Sequence, residues 1–305
     1  MNNCKICGQS FESEKKLHMH LRSHKITLAE YYTKYFPRNN LLTGDPLPFK
    51  NKDQYFEKDF SNRKQLLQWC KESKGEKVKS YILKVLKQRI QNKKLNFAPS
   101  HIELSVSELP TIDLYKEYFG SYSEACKMCG VKPLFGSELP KDWNQEIDED
   151  IKIFIDTRER QPLTFKNSES LKLDFGDYAV GQKYYAYTYV DRKSETDFKS
   201  TLSKNNLERF EAELQRAKDF DSYLFIVTET DMSTMEKRNR WSPHTSNMKY
   251  IYHNMRVLAH KFAGNCQFIF TGGRSQSQKL IPKLLTMGKS LWDVDLQYYI
   301  NKKII

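Results

Sequence analysis

Four residues near the start of the chain constrain its fold more than any others: Cys4 and Cys7, then His20 and His24, in the order C-x2-C-x12-H-x3-H. Two thiolates and two imidazoles supply the tetrahedral donor set of a structural zinc site. His20 and His24 are four residues apart, so they share one face of a helix. Phe11 and Leu17 stand between the two pairs, where so small a unit needs its apolar core. Structural zinc sites contribute roughly 10–16 kcal/mol of apparent binding energy. A chelator is therefore expected to unfold residues 1–25 first.

The spacing resembles the C2H2 zinc finger, a ββα unit, over the whole of 1–25. That resemblance puts the base-reading positions at Ser13, Lys16 and Met19. Ser and Met read bases poorly, and one finger covers about 3 bp, so the finger can only add to a larger footprint on double-stranded DNA.

The charge balance also suggests a polyanionic partner. There are 50 Lys+Arg against 38 Asp+Glu, a net +12, and the sequence pI is about 9.2. Lys and Arg release counterions when they meet phosphates. A length of 305 residues admits two or more domains, at about 100–200 residues each. No apolar run approaches the roughly 18 residues of a membrane span, and no apolar signal segment follows Met1. An intracellular protein with no membrane partner is expected.

Residues 26–95 are expected to form a helical linker. Aromatic residues recur at helical spacing from Thr27 to Phe36, and Tyr55, Phe56, Phe60, Leu66, Leu67 and Trp69 form a second apolar set. From Lys77 to Lys94, Val78, Ile82, Val85 and Leu86 fall on one helix face, ringed by lysines that include Lys84 and Lys87. That basic helix could lie along a phosphate backbone or be a solvated face.

Residues 96–136 carry Tyr118-Phe119-Gly120-Ser121-Tyr122, then Ala125, Gly130 and Pro133. This order resembles the short helical repeat associated with homing endonucleases, which implies DNA binding. Cys126 and Cys129 have no second ligand pair nearby and read as structural cysteines. The polar, acidic stretch 137–150 reads as a linker and domain boundary.

The chemistry falls in 151–305. The apolar run Ile151 to Ile155 ends in Asp156-Thr157-Arg158-Glu159, a second strand-like run leads to Gly176-Asp177-Tyr178, and Tyr184 to Val190 ends in Asp191-Arg192-Lys193. Side chains alternate along a strand, so Asp191 and Lys193 face one side and Arg192 the other. Asp191 and Lys193, opposed by Asp177 a hairpin away, can hold Mg²⁺ or Mn²⁺ beside an attacking water. The chemistry implied is phosphodiester hydrolysis. Downstream, helical stripes at Leu207, Phe210, Leu214 and Ala217 and at Ile251, Met255, Leu258 and Phe262 alternate with strands Tyr223 to Val227 and Cys266 to Phe270. Lys199, Lys204, Arg209 and a loop from Lys237 to Arg240 beside Trp241 could touch DNA or simply be solvated.

These motifs, in this order, resemble the XPF-type nuclease domain of the restriction-endonuclease-like PD-(D/E)xK superfamily, whose signature is G-D-x(n)-E-R-K-x3-D after a D-x-R-E strand. Asp197 stands where the last acid of that signature falls. The resemblance implies a C-terminal α/β domain with a mixed central sheet, within a multidomain chain. It makes Asp177 and Asp191 metal ligands and Lys193 catalytic, with Asp156 and Glu159 completing or supporting the metal site and Arg192 on the DNA side. Asp191 departs from the family's Glu by one methylene.

The expectation is a site-specific, metal-dependent DNA endonuclease similar to phage homing enzymes, acting in a host cytoplasm. It would leave a 5′-phosphate and a 3′-hydroxyl, as the family implies. Zinc would be structural, Mg²⁺ or Mn²⁺ catalytic, and a homodimer would serve double-strand cutting. Two other readings stay open: a structure-specific nuclease on branched DNA, and a non-catalytic DNA-binding protein with a degenerate nuclease fold.

Overall fold

Ser13 leaves an extended stretch and accepts the Lys16 N–H on its hydroxyl, which starts the first helix. The structure is a computed structural model that describes every residue except Met1, Ser137 and Glu149, and all their side chains except that of Gln182. Its chain divides into two units, Met1–Lys94 with Ser107–Gly130, and Leu95–Val106 with Val131–Ile305.

In the first unit, antiparallel β1 (Asn2–Asn3) and β2 (Ser10–Phe11) lead into α1 (Glu14–His20). A capping box between Thr27 and Glu30 opens α2 (Leu28–Tyr35). Then come α3 (Lys52–Glu57), α4 (Arg63–Ser73), α5 (Gly75–Lys93), α7 (Ile112–Phe119) and α8 (Tyr122–Met128). The small ββα unit does not have a core of its own. Leu17 and Leu21 share one cluster with Tyr31, Tyr32, Leu47 and Tyr55. The Tyr31 hydroxyl accepts the Lys5 N–H at 2.9 Å, and the Tyr32 hydroxyl lies 2.9 Å from His18 Nε2.

On α5, Val78, Ile82, Val85 and Leu86 are buried, as the periodicity predicts, while Lys84 and Lys87 are not. The Tyr115 hydroxyl of α7 donates to the Ile82 carbonyl at 3.1 Å. Cys126 is buried on α8, which pushes its thiol up to about 12, in keeping with a structural role.

The second unit comprises β3 (Phe97–Ala98), α6 (His101–Val106), β4 (Lys132–Pro133), β5 (Ile153–Asp156), β6 (Ser168–Leu171), β7 (Tyr178–Val180) and β8 (Thr188–Lys193), followed by α9 (Glu195–Thr201), α10 (Leu207–Asp219), β9 (Tyr223–Thr228), α11 (Met232–Trp241), α12 (Met248–Lys261), β10 (Cys266–Phe270), α13 (Arg274–Met287) and α14 (Leu296–Asn301). Its mixed six-stranded sheet has the order β10-β9-β8-β7-β5-β6. The strands β10, β9 and β8 are parallel, and β7 runs antiparallel to both β8 and β5. Both faces are covered, and β9 shows how: Leu224 and Ile226 join Phe198, Phe210 and Leu258 on one face, while Tyr223, Phe225 and Val227 join Ile281, Leu284 and Leu285 on the other.

The observed divisions differ from the expected ones. Segment 96–106, expected within the helical repeat, belongs with the sheet: Glu103 of α6 pairs with His260 of α12 at 3.0 Å. Of the acidic stretch 137–150, Ser137 and Glu149 lie outside the described residues, but Leu139 and Trp143 pack on the sheet's apolar cluster, so it is no free linker. No described helix is long and apolar enough to cross a membrane.

Candidate active site

Because β7 is antiparallel to both its neighbours, its first residues meet the last residues of β5 and β8. Asp177 thus sits at the mouth of a strand rather than at its end. Its N–H donates to the Val190 carbonyl at 2.7 Å, and its carbonyl accepts the Asp156 N–H at 2.8 Å. Gly176 makes this approach possible: φ is +59°, and a β-carbon there would lie 2.7 Å from the Val190 oxygen. The Asp177 carboxylate accepts the Arg192 N–H at 2.7 Å.

On β8 the alternation holds. Lys193 Nζ lies 2.9 and 2.7 Å from the two oxygens of Asp191, and 5.0 Å from the centre of the Phe210 ring. Burial presses the Lys193 ammonium toward its neutral form, but the Asp191 carboxylate outweighs it and the pKa goes up. Asp177 goes well above the usual carboxylate range, first from burial and then from the facing charge of Asp191. A further acid, Glu213 of α10, accepts the Gly176 N–H, and burial together with Asp191 raises its pKa. Apart from its ion contact with Lys193, Asp191 Oδ2 is buried without a hydrogen-bond partner. Two mutually repelling carboxylates at one strand end form a donor set that a hard divalent cation would relieve.

Two expected roles do not follow from this geometry. Asp156, expected as a metal ligand, has both oxygens engaged: it accepts from the Arg158 backbone N–H and guanidinium at 2.7, 2.6 and 2.9 Å and from the Leu173 N–H at 2.7 Å. Burial works to raise its pKa, yet these donors lower it, so Asp156 acts as a brace for the strand end. Arg192, expected at DNA, is buried on the opposite face, with Nη2 3.0 Å from Glu159 and Nη1 2.8 Å from Glu229. A guanidinium held between two carboxylates is not available to a phosphate. Glu159 is therefore tied to Arg192, although its charge still reaches Asp177.

No motif in the sequence marks Glu213 or Glu229. Glu213 stands next to Leu214 beside the apolar stripe of α10, and that position was its only sequence signal. Asp197 is exposed and donates its N–H to the Ser194 hydroxyl at the start of α9.

In the first unit, the donor atoms of Cys4, Cys7, His20 and His24 lie within 4.8 Å of one another and could hold a metal ion. Cys7 Sγ is 3.3 Å from His20 Nε2, and Cys4 Sγ is 3.7 Å from His24 Nε2. Among the described residues this is the only group to bring three such donors so close. Of the positions expected to read bases, Ser13 uses its hydroxyl in the helix cap, Lys16 pairs with Glu12, and Met19 is exposed.

No protein family matches the sequence, and no curated protein does. Among solved structures the chain is similar to XPF from Aeropyrum pernix at 18% identity, over 45% of this chain and 66% of that one, with a TM-score of 0.34. It is similar to the same protein in complex with DNA at 18% identity, over 45% of this chain and 63% of that one, with a TM-score of 0.32. In both cases it spans less than two thirds of the solved chain.

Proposed function

We propose that the chain is a metal-dependent DNA endonuclease whose site is built by Asp177, Asp191 and Lys193, with Glu213 beside them. One observation carries this reading: two carboxylates that repel each other meet at a strand end where a lysine is held on one of them. Asp177 and Asp191 would hold Mg²⁺ or Mn²⁺, which when bound supplies positive charge against that developing on a scissile phosphate. Lys193 donates its N–H groups to orient a water or a phosphate oxygen. Arg192 positions, through Glu159 and Glu229, the strand end that carries both acids.

In the first unit Cys4, Cys7, His20 and His24 would bind structural Zn²⁺, since their donor set is the zinc-finger one. Lys16, Met19, Lys84 and Lys87 reach solvent and would face double-stranded DNA. The resemblances to the finger and the helical repeat support a site-specific, homing-type target. One site per chain makes a nick the elementary event, and cutting both strands would need two copies. A nuclease on branched DNA is the second reading, favoured by the exposed Trp241.

The test is cleavage of a randomised linear duplex pool, and of forks and flaps, by the full chain in Mg²⁺. Asp177→Ala and Lys193→Ala are expected to lose at least about 100-fold in rate. Variants that cut as well as the unmutated chain would show the site to be wrong, and DNA binding with no cutting by the unmutated chain would favour a degenerate nuclease.

A further inference from the structure

Trp241 is 89% exposed, more than any other large apolar side chain among the described residues. It closes α11, and the turn beyond it is fixed rather than frayed. Asn239, itself 7% exposed, donates to the Ser246 carbonyl and accepts the Ser246 N–H, both at 2.9 Å. Ser242 accepts the His244 N–H at 3.1 Å. The backbone therefore holds the indole in water.

Basic residues flank Trp241 along the chain. Lys237, Arg238, Arg240 and Lys249 are close by in the chain, and the Tyr250 ring is 38% exposed on the far side of the turn. Arg238 lies three residues before Trp241, on the same side of α11. Its guanidinium is 3.2 Å from Glu195, which follows Lys193 by two residues at the start of α9. The aromatic and basic face thus adjoins the end of β8 that carries the candidate site.

A basic track that follows a backbone, with an aromatic face on which a base can stack, is how proteins hold unpaired nucleic acid. In a paired duplex each base already has neighbours on both faces, so only an unpaired nucleotide offers a surface to the indole. We infer that α11 and its following turn form a docking face for an unpaired DNA strand, with Trp241 stacking on a base beside the scissile phosphate. This inference rests on the nuclease reading for its substrate.

The test uses the full chain with its zinc but without added Mg²⁺ or Mn²⁺, titrated with oligothymidylate, with a fork and with a blunt, fully paired duplex, while tryptophan emission is followed. Oligothymidylate should quench the emission, and Trp241→Phe should abolish that change. Trp241→Ala should weaken binding of oligothymidylate and of the fork by about 5- to 150-fold while moving the blunt duplex by about twofold or less. Because the side chain is exposed, the Ala variant should keep its circular dichroism. Lys237→Glu with Arg240→Glu should weaken the same two ligands and flatten their salt dependence.

Unchanged affinities in Trp241→Ala would overturn the docking face, and cleavage abolished by Asp177→Ala would still leave the nuclease standing. Loss of fork binding in Trp241→Ala, from a chain that cuts no DNA in Mg²⁺ or Mn²⁺, would uphold the docking face and sink the nuclease. An emission change that follows protein concentration without DNA, with a dimer in sedimentation, would make this face a self-contact and overturn the inference.

Discussion

At Gly176 the space for a side chain is already filled by the neighbouring strand, and the backbone is left-handed. Any β-carbon there must push β8 away from Asp177 or unwind the turn, so placing the acid and lacking a side chain are one requirement. Gly176→Ala should cost about 1–3 kcal/mol of stability, read by urea unfolding. It should also lower cleavage more than that loss explains, because Asp177 moves. A variant as stable and as active as the unmutated chain would show that the close approach is not needed.

Glu213 gives a second test at this scale. Glu213→Gln keeps an acceptor for the Gly176 N–H but removes the charge beside Asp191. The Mg²⁺ needed for half-maximal cleavage should rise by about tenfold. An unchanged metal titration would place Glu213 outside the site.

Among the elements, α6 and α14 are tied by one buried carboxylate. Asp295 accepts the His101 N–H at 2.8 Å and the Tyr298 N–H at 3.3 Å, capping the start of α14. Burial nevertheless raises its pKa from 3.8 to about 6. Between those values the folded chain keeps a proton that the unfolded chain has released, so this group's contribution to stability falls as pH rises through the window. Asp295→Asn should therefore gain on the unmutated chain by roughly 3 kcal/mol between pH 4 and pH 7, compared by urea unfolding at both. A difference that does not change with pH would mean that Asp295 titrates normally.

Periodicity made β8, α5 and α10 legible in the sequence, because each repeats a local pattern against a core. The same reasoning failed at α11, where Met235 and Asn239 are the buried residues and no apolar stripe marks the helix. Nor does it reach the partners of Asp156 and Arg192. Both are charged residues at a strand end, and only the fold decides that Arg158 and Leu173 saturate the first and that Glu159 and Glu229 enclose the second. Which carboxylate meets a cation is a long-range property, and spacing along the chain does not carry it.

For the whole molecule, the core that the ββα unit shares with α2 and α3 changes what loss of the proposed zinc should do. Leu17 and Leu21 pack with Tyr31, Tyr32 and Tyr55, so loosening the four ligands removes support from α2 and α3 as well. On chelation, hydrogen exchange should rise through residues 2–57, while α5, α7 and α8 stay protected. Exchange confined to 1–25 would show the ββα unit to be a separate module after all.

The chain passes between the two units three times, after Lys94, Val106 and Gly130. A single splice cannot hand either unit to another protein intact. A break at 130/131 that kept only the sheet-bearing segment would strand His260 and Arg256 without Glu103, and Asp295 without the His101 N–H. Neither unit is one continuous stretch of chain that could be exchanged as a detachable head, so the two halves must be inherited together.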